Sequence, residues 1–245
     1  MSRPTTPPEI SIVVPAYNEA ENLIPLASAI AETLEALGKT YELLFVDDGS
    51  TDGTPAVLQD VAAKRSEVRV IRFRQNAGQT AALDAGFKQA RGEIVVTVDA
   101  DLQNDPHDIP SLLEALKDYD VVCGIRQRRQ DPWLRRVSSR IGNRVRRLVL
   151  HDEIIDVGCS LRVYRRHCLA ALRLYHGMHR FLPVLLHLEG FRVGQVPVSH
   201  RSRRFGTSKY NVRNRAWRGL VDLLAVRWMQ RRRLRYEVIE PEEGS

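Results

Sequence analysis

The chain has 245 residues, 43% apolar and 27% charged, with a formal net charge of +7. A chain this long can bury roughly 70–75% of its unfolded surface, so it needs no disulfide or structural metal to fold. Its 15 Gly and 12 Pro exclude a collagenous or low-complexity polymer. No apolar run reaches the ~20 residues of a membrane span. The polar, Pro-rich stretch Met1 to Glu9 lacks the apolar segment of a signal peptide. Cys123, Cys159 and Cys168 are an odd number without metal-ligand spacing and read as free thiols in a reducing cytoplasm. Charge is divided unevenly. Residues 1–125 carry 10 basic and 20 acidic side chains, whereas residues 126–245 carry 27 basic and 10 acidic, and Lys209 is the only lysine among those 27. So basic a half is expected to meet anions: phosphates, nucleic acid or an acidic membrane surface.

In chain order, Ile10 to Pro15 is a compact apolar run and predicts a strand. Glu19 to Leu37 carries Leu23, Leu26, Ala27, Ile30, Leu34 and Leu37 at helical spacing, and Gly38 stops it. Tyr41 to Val46 predicts a second strand. Thr51 or Asp52 can cap a helix running to about Arg65. Val68 to Phe73 is a third strand, Gly78 to Arg91 a helix and Glu93 to Val98 a fourth strand. A helix over Ile109–Lys117 and a strand over Asp120–Ile125 follow. Short β-branched runs alternating with amphipathic helices specify an α/β fold with a wound, mostly parallel central sheet. Right-handed crossovers then bring the loops after the strands to one edge.

Those loops hold the unusual residues. Pro15-Ala-Tyr17-Asn-Glu19 follows the first strand, Asp47-Asp48-Gly-Ser-Thr-Asp52 the second, and Asp99-Ala100-Asp101-Leu-Gln103 the fourth. Three acidic loops at one edge repel one another unless a cation sits among them. Mg²⁺ or Mn²⁺, held by one or two carboxylates and by substrate phosphates, would relieve that repulsion. Asp also caps helices and turns. The cap is the preferred reading for Asp52, and the metal for Asp99 with Asp101. The first turn lacks the glycines of a dinucleotide site, and no G-x-x-x-x-G-K-[ST] loop occurs, which sets aside a Rossmann oxidoreductase and a P-loop NTPase. His176, His179 and His187 have no accompanying carboxylate or cysteine pattern and are not read as a metal site.

The ordered motifs Val13-Val-Pro-Ala-Tyr-Asn-Glu19, Val46-Asp-Asp-Gly-Ser-Thr-Asp-Gly-Thr54, Asn76-Ala-Gly-Gln-Thr-Ala-Ala82 and Asp99-Ala-Asp-Leu-Gln103 resemble inverting glycosyltransferases of family 2 with a GT-A fold. Asp156-Val-Gly-Cys-Ser-Leu-Arg-Val-Tyr-Arg165 and Arg203-Arg-Phe-Gly-Thr-Ser-Lys-Tyr210 resemble the polyprenyl-phosphate branch of that family, over about residues 10 to 228. The resemblance implies a nucleotide-sugar donor, a polyprenyl-phosphate acceptor and Mg²⁺ or Mn²⁺ as cofactor. It places Pro15, Tyr17 and Glu19 at the nucleotide base and ribose, with Val46 and Asp48 beside the base. Asp99, Ala100, Asp101 and Gln103 fall at the diphosphate, and Asp99, Asp101 and Gln103 at the metal. Arg126 falls near the phosphates of donor and acceptor, and Arg140 near the lipid phosphate. Arg203 and Lys209 close over the donor diphosphate. Asp101, Asp156, Arg203 and Lys209 are the implied catalytic set, and Asp156 either positions the acceptor or stabilises charge on the sugar.

Trp133 to Leu150 reads as a basic amphipathic helix. Trp133, Val137, Ile141, Val145 and Leu148 form its stripe, and Arg135, Arg136, Arg140, Arg144, Arg146 and Arg147 surround it. Asn211 to Arg233 is a second such helix, with Trp217, Leu220, Leu224 and Trp228 on one side. Both suit an anionic membrane surface, and both patterns also describe helices docked on their own core. The expected organisation is a flexible terminus over 1–8, a glycosyltransferase domain over 9–210, a basic helix over 211–236 and an acidic tail over 237–245. The expected location is cytoplasmic, peripheral on the inner membrane face, with room for a membrane-anchoring partner protein and a homo-oligomer. A saccharide or protein acceptor is the nearer alternative. An Arg-rich nucleic-acid module is the distant one, and it lacks zinc-finger spacing and an RRM signature, so no nucleic-acid partner is expected.

Overall fold

The computed structural model describes residues 7–127, 133–202 and 212–234, with side chains from 142 onward in the helix beginning at 133 and from 219 onward in the one beginning at 212. In chain order the strands are β1 (Ile10–Ala16), β2 (Tyr41–Asp47), β3 (Val68–Arg72), β4 (Ile94–Thr97), β5 (Val121–Arg126), β6 (Arg162–Arg165) and β7 (Val193–Val198). The helices are α1 (Ala20–Ala36), α2 (Thr54–Lys64), α3 (Gln79–Gln89), α4 (Ile109–Ala115), α5 (Trp133–Leu150), α6 (Arg166–Ala170), α7 (Leu182–Leu188) and α8 (Val212–Arg232). The strands join in one sheet of order β3-β2-β1-β4-β6-β5-β7. Pairing is parallel except where β6 runs antiparallel between β4 and β5.

Alternation along β1 splits the core into two layers. Ile10, Ile12, Val14 and Ala16 face α1, α2 and α4, packing with Leu26, Ile30, Leu58 and Leu112. Val13 faces the other way, with Leu44 and Val46 of β2, onto Leu83 and Phe87 of α3 and Leu182 and Leu186 of α7. With both sides covered, the strands read as continuous apolar runs. The stop after α1 is as the sequence predicts. Gly38 has φ 62°, its N–H donates to the Glu35 carbonyl and Lys39 N–H to the Leu34 carbonyl, the paired bonds of a Schellman motif.

Two strands have no clear sequence signature. β6 is only Arg162-Val-Tyr-Arg165, four residues in which buried Val163 and Tyr164 sit between arginines. β7 contains Gly194 and Pro197, and Pro is tolerated there because β7 lies at the sheet edge. A third apolar cluster joins α5, α7 and α8 through Leu150, Met178, Phe181, Leu185, Leu223 and Val226.

Candidate active site

The loops after β1, β2 and β4 meet at the C-terminal edge of the parallel strands, where a wound sheet binds ligands. The first two are laced together. Asn18 N–H donates to Ser50 Oγ at 2.9 Å, Thr51 N–H to Asn18 Oδ1 at 2.8 Å, and Glu19 N–H to Thr54 Oγ1 at 2.8 Å. Asn18 has φ 54°, a conformation Asn tolerates well. Pro15, Tyr17 and Glu19 are half-buried along this seam. Glu19 Oε2 accepts from Asn22 Nδ2 at 2.6 Å. Asp52 Oδ1 accepts from Thr54 N–H at 2.9 Å, a turn just ahead of α2; the N-cap itself is Gly53, so the cap expected at Thr51 or Asp52 is corrected.

Asp48 is a clasp. Its Oδ1 accepts from Ala77 N–H at 2.7 Å, and its Oδ2 from Gly78 N–H and Asn76 Nδ2, each at 2.9 Å. Burial raises its pKa, while the Ala77 and Gly78 amides pull the other way. Gly49 is what lets the two loops close. A Cβ there, at φ +70°, would lie 2.4 Å from the Gln75 carbonyl carbon. Val46 is fully buried beneath α3, so it shapes the crevice from below.

Asp99 and Asp101 follow β4. Asp99 Oδ1 accepts from Gln79 Nε2 at 2.8 Å, and Asp101 Oδ1 from Gln103 N–H at 3.2 Å. Burial first, and then the neighbouring Asp101 charge, push Asp99 up to about 6. Ala100 is buried between the two carboxylates, and Leu102 has φ 58°, a strained value for a leucine. The Gln103 carbonyl accepts from Arg201 N–H at 2.9 Å. Arg201 also pairs with Asp105, which accepts from His107 Nδ1 at 2.8 Å. The chain entering 203–209 is thus tied to the Asp99 loop. Arg203 and Lys209 themselves lie outside the described residues, as do residues 1–6 and the tail from 235.

Arg126 ends β5 and meets Asp156 in a two-pronged ion pair, Nε to Oδ2 at 2.7 Å and Nη2 to Oδ1 at 2.8 Å. Asp156 Oδ1 also accepts from Gly158 N–H at 3.1 Å. A Cβ on Gly158 would stand 2.6 Å from Arg126 Nη2, so a larger residue there would displace the guanidinium from its present position. Buried Arg162 braces the region, donating from Nη2 to the Val157 carbonyl at 2.6 Å and from Nη1 to the His179 carbonyl at 2.9 Å. Asn104 Nδ2 to Ser160 Oγ, 2.7 Å, joins the Asp99 and Asp156 loops.

Sequence reasoning did not assign roles to Gln79, Asn104, Ser160 or Arg162. The Asn76 to Ala82 motif held the signal for Gln79, but its partner appears only when α3 meets the β4 loop. His179 Nδ1 lies 2.9 Å from Thr80 Oγ1, and His187 belongs to α7.

Among the described residues no three His, Cys, Asp or Glu side chains converge on a metal position. The edge offers the two carboxylates Asp99 and Asp101. A hard oxygen set this small suits Mg²⁺ or Mn²⁺ completed by phosphate and water, and not a protein-only cage. Burial, and after it the Asp101 charge, raise the Asp99 pKa, and a cation at this edge would offset both by favouring the ionised carboxylate.

Arg140 lies on α5, with its side chain outside the described residues. One expectation for this helix is corrected. Arg146 does not join the exposed collar; it is 3% exposed, faces Asp152 at 3.3 Å and donates to the Ile154 carbonyl. Val145 and Leu148 of the stripe face outward, 42% and 67% exposed. Helical spacing explains the inversion, since residues 146 and 150 share the inner face while 145 and 148 share the outer one. On α8, Leu223 and Val226 turn inward, and Leu220, Leu224 and Trp228 are exposed at 43%, 56% and 65%.

An α/β sheet in this order, with a carboxylate pair after β4 and laced loops at its parallel edge, is the GT-A transferase architecture. The chain belongs to glycosyl transferase family 2, whose family model matches residues 11–173. It is 42% identical over 214 residues to the undecaprenyl-phosphate 4-deoxy-4-formamido-L-arabinose transferase of Sodalis glossinidius (strain morsitans). That match covers 86% of this chain and 66% of the relative, so the chain spans about two thirds of that protein's length. Among solved structures, the mannosyltransferase of Pyrobaculum calidifontis in complex with GDP-Man and Mn²⁺ superposes with a TM-score of 0.67 at 22% identity. It covers 91% of this chain and 64% of its own. Glucosyl-3-phosphoglycerate synthase of Mycobacterium tuberculosis, in complex with Mn²⁺, UDP and glucosyl-3-phosphoglycerate, gives 0.68 at 21%, covering 90% and 80%. At those identities the two structures establish the fold.

Proposed function

We propose that this chain transfers a sugar, with inversion, from a UDP- or GDP-sugar to a polyprenyl monophosphate at the cytoplasmic face of a membrane. The observation that carries the reading is the carboxylate pair Asp99 and Asp101 beside the Arg126–Asp156 ion pair at one sheet edge. Family membership and the 42% identity to an undecaprenyl-phosphate sugar transferase support it.

In this reading Pro15, Tyr17 and Glu19 flank the base and ribose, and the Asp48 clasp sets the pocket wall. Asp99 and Asp101, with Gln103 alongside, are the residues that would hold Mg²⁺ or Mn²⁺ for a donor diphosphate. When bound, the cation supplies Lewis-acid stabilisation of the departing diphosphate. Arg203 and Lys209 add positive charge to the same leaving group. An acceptor phosphate oxygen, already anionic near neutral pH because its second ionisation lies near 6, attacks the anomeric carbon as the bond to the diphosphate breaks. No strong base is needed, and alignment dominates. Asp156 is held by Arg126, so its role here is to aim that guanidinium between donor and acceptor phosphates, with Arg140 receiving the lipid phosphate.

The exposed stripes of α5 and α8, flanked by Arg144, Arg147, Arg231 and Arg232, suit the surface of an anionic bilayer. Among the described residues no helix is long and apolar enough to cross one. A membrane partner and a homo-oligomer are compatible with the same surface. The test is incubation with a UDP- and GDP-sugar panel, Mn²⁺ and undecaprenyl phosphate, with products read by mass spectrometry. A lipid-phosphate sugar from one donor supports the proposal. Transfer only to a free saccharide or protein overturns the acceptor assignment.

A further inference from the structure

We propose that Gln79 is the positioning residue that sets the Asp99 carboxylate for its cation, an inference that rests on the metal reading above. Gln79 opens α3, and its Nε2 donates to Asp99 Oδ1 at 2.8 Å, across 20 residues of sequence. The orientation of the amide follows from its partner, because an ionised carboxylate only accepts and so must face the NH₂. Gln79 is also held from both sides. Before it, the Ala77 and Gly78 amides are clasped by Asp48. After it, Thr80 Oγ1 accepts from Gly177 N–H at 3.1 Å and lies 2.9 Å from His179 Nδ1. With neighbours on both flanks pinned, the amide is delivered to Asp99 from a fixed base.

The chemistry of the contact is specific. A neutral amide fixes the plane of the carboxylate and occupies one lone pair of Oδ1, but leaves the negative charge uncompensated. A lysine or arginine in its place would hold the same oxygen and cancel the charge a divalent cation needs. Partners of this kind, one shell behind the ligands, orient metal-binding groups, and losing one costs 10–100-fold in metal affinity.

The test is Mn²⁺ binding by the full chain, read from the electron paramagnetic resonance signal of free Mn²⁺, alone and with added UDP or GDP. Wild type, Gln79→Met, Gln79→Lys and Asp99→Asn are compared, with thermal midpoints in EDTA as the folding control. The expected result is Mn²⁺ binding about 10–100-fold weaker in Gln79→Met, at least as weak in Gln79→Lys, and lost in Asp99→Asn, with midpoints near wild type. A tether that merely joined α3 to the β4 loop would be kept by lysine, so wild-type affinity in Gln79→Lys overturns the inference. So does wild-type affinity in Gln79→Met when Asp99→Asn has lost binding. If wild type itself binds no Mn²⁺ under either condition, the metal reading falls and this inference with it.

Discussion

The side chains of Arg126 and Asp156 are 14% and 7% exposed, and they meet in a two-pronged geometry that glycine at 158 makes room for. Such a pair is worth more for aim than for stability, since desolvation offsets much of the Coulomb gain. Gly158→Ala should therefore displace Arg126 and lower kcat/KM on the order of 100-fold, with a small change in thermal midpoint because the position is exposed. Steady-state transfer to lipid phosphate and a melting curve check it; an unchanged rate would remove Arg126 from the site. Asp99 makes a pH prediction. Its folded value of about 6 lies above the ordinary carboxylate range, so the metal-free folded chain binds that proton more tightly than the unfolded chain. This group's contribution is present below the unfolded value and is lost as pH rises through about 6. The cation opposes that trend because it competes with the proton. Scanning calorimetry should show a Mn²⁺-induced rise in midpoint that is small at pH 5 and large at pH 7.5. Asp99 and Asp101 were legible in the sequence because carboxylates directly after an apolar strand have few structural uses. Gln79 and Arg162 were not, because their meaning lies in partners contributed by other elements.

The first five strands and the helices between them follow the hydrophobic runs to within a residue or two, since the sheet is covered on both faces and each helix has one side to bury. β6 and β7 were missed for a physical reason. One is four residues framed by arginine, and the other is an edge strand interrupted by Gly and Pro. Arg146 shows the limit of a helical wheel, because charge alone did not tell which arginine would turn inward to Asp152. α8 separates two kinds of leucine at adjacent positions. Leu223→Ala removes a buried side chain and should cost about 2–5 kcal/mol in denaturant unfolding. Leu224→Ala with Trp228→Ala removes exposed ones; stability should be nearly unchanged, while sedimentation with phosphatidylglycerol vesicles should fall several-fold. Vesicle binding that survives the double change would move the membrane surface away from α8.

Across the whole molecule the chemistry and the charge are segregated. The acidic half supplies β1 to β4 and the carboxylate edge, and the arginine-rich half supplies β6, β7, α5 and α8. A cationic half suits a phosphate-bearing acceptor at an anionic surface, and its association with vesicles should weaken steeply between low and physiological salt. Fold class was readable at this scale because alternating strand and helix signals admit few topologies, whereas the antiparallel insertion of β6 was visible only in the assembled sheet. The proposed function depends first on Asp99 and Asp101 holding a divalent cation that binds a nucleotide-sugar. Isothermal calorimetry with UDP- and GDP-sugars, in Mn²⁺ and in EDTA, tests it most directly. One nucleotide is expected to bind, EDTA to remove the binding and Asp101→Asn to abolish it with the fold intact. Binding that is equally tight in EDTA, or that survives Asp101→Asn, would contradict it.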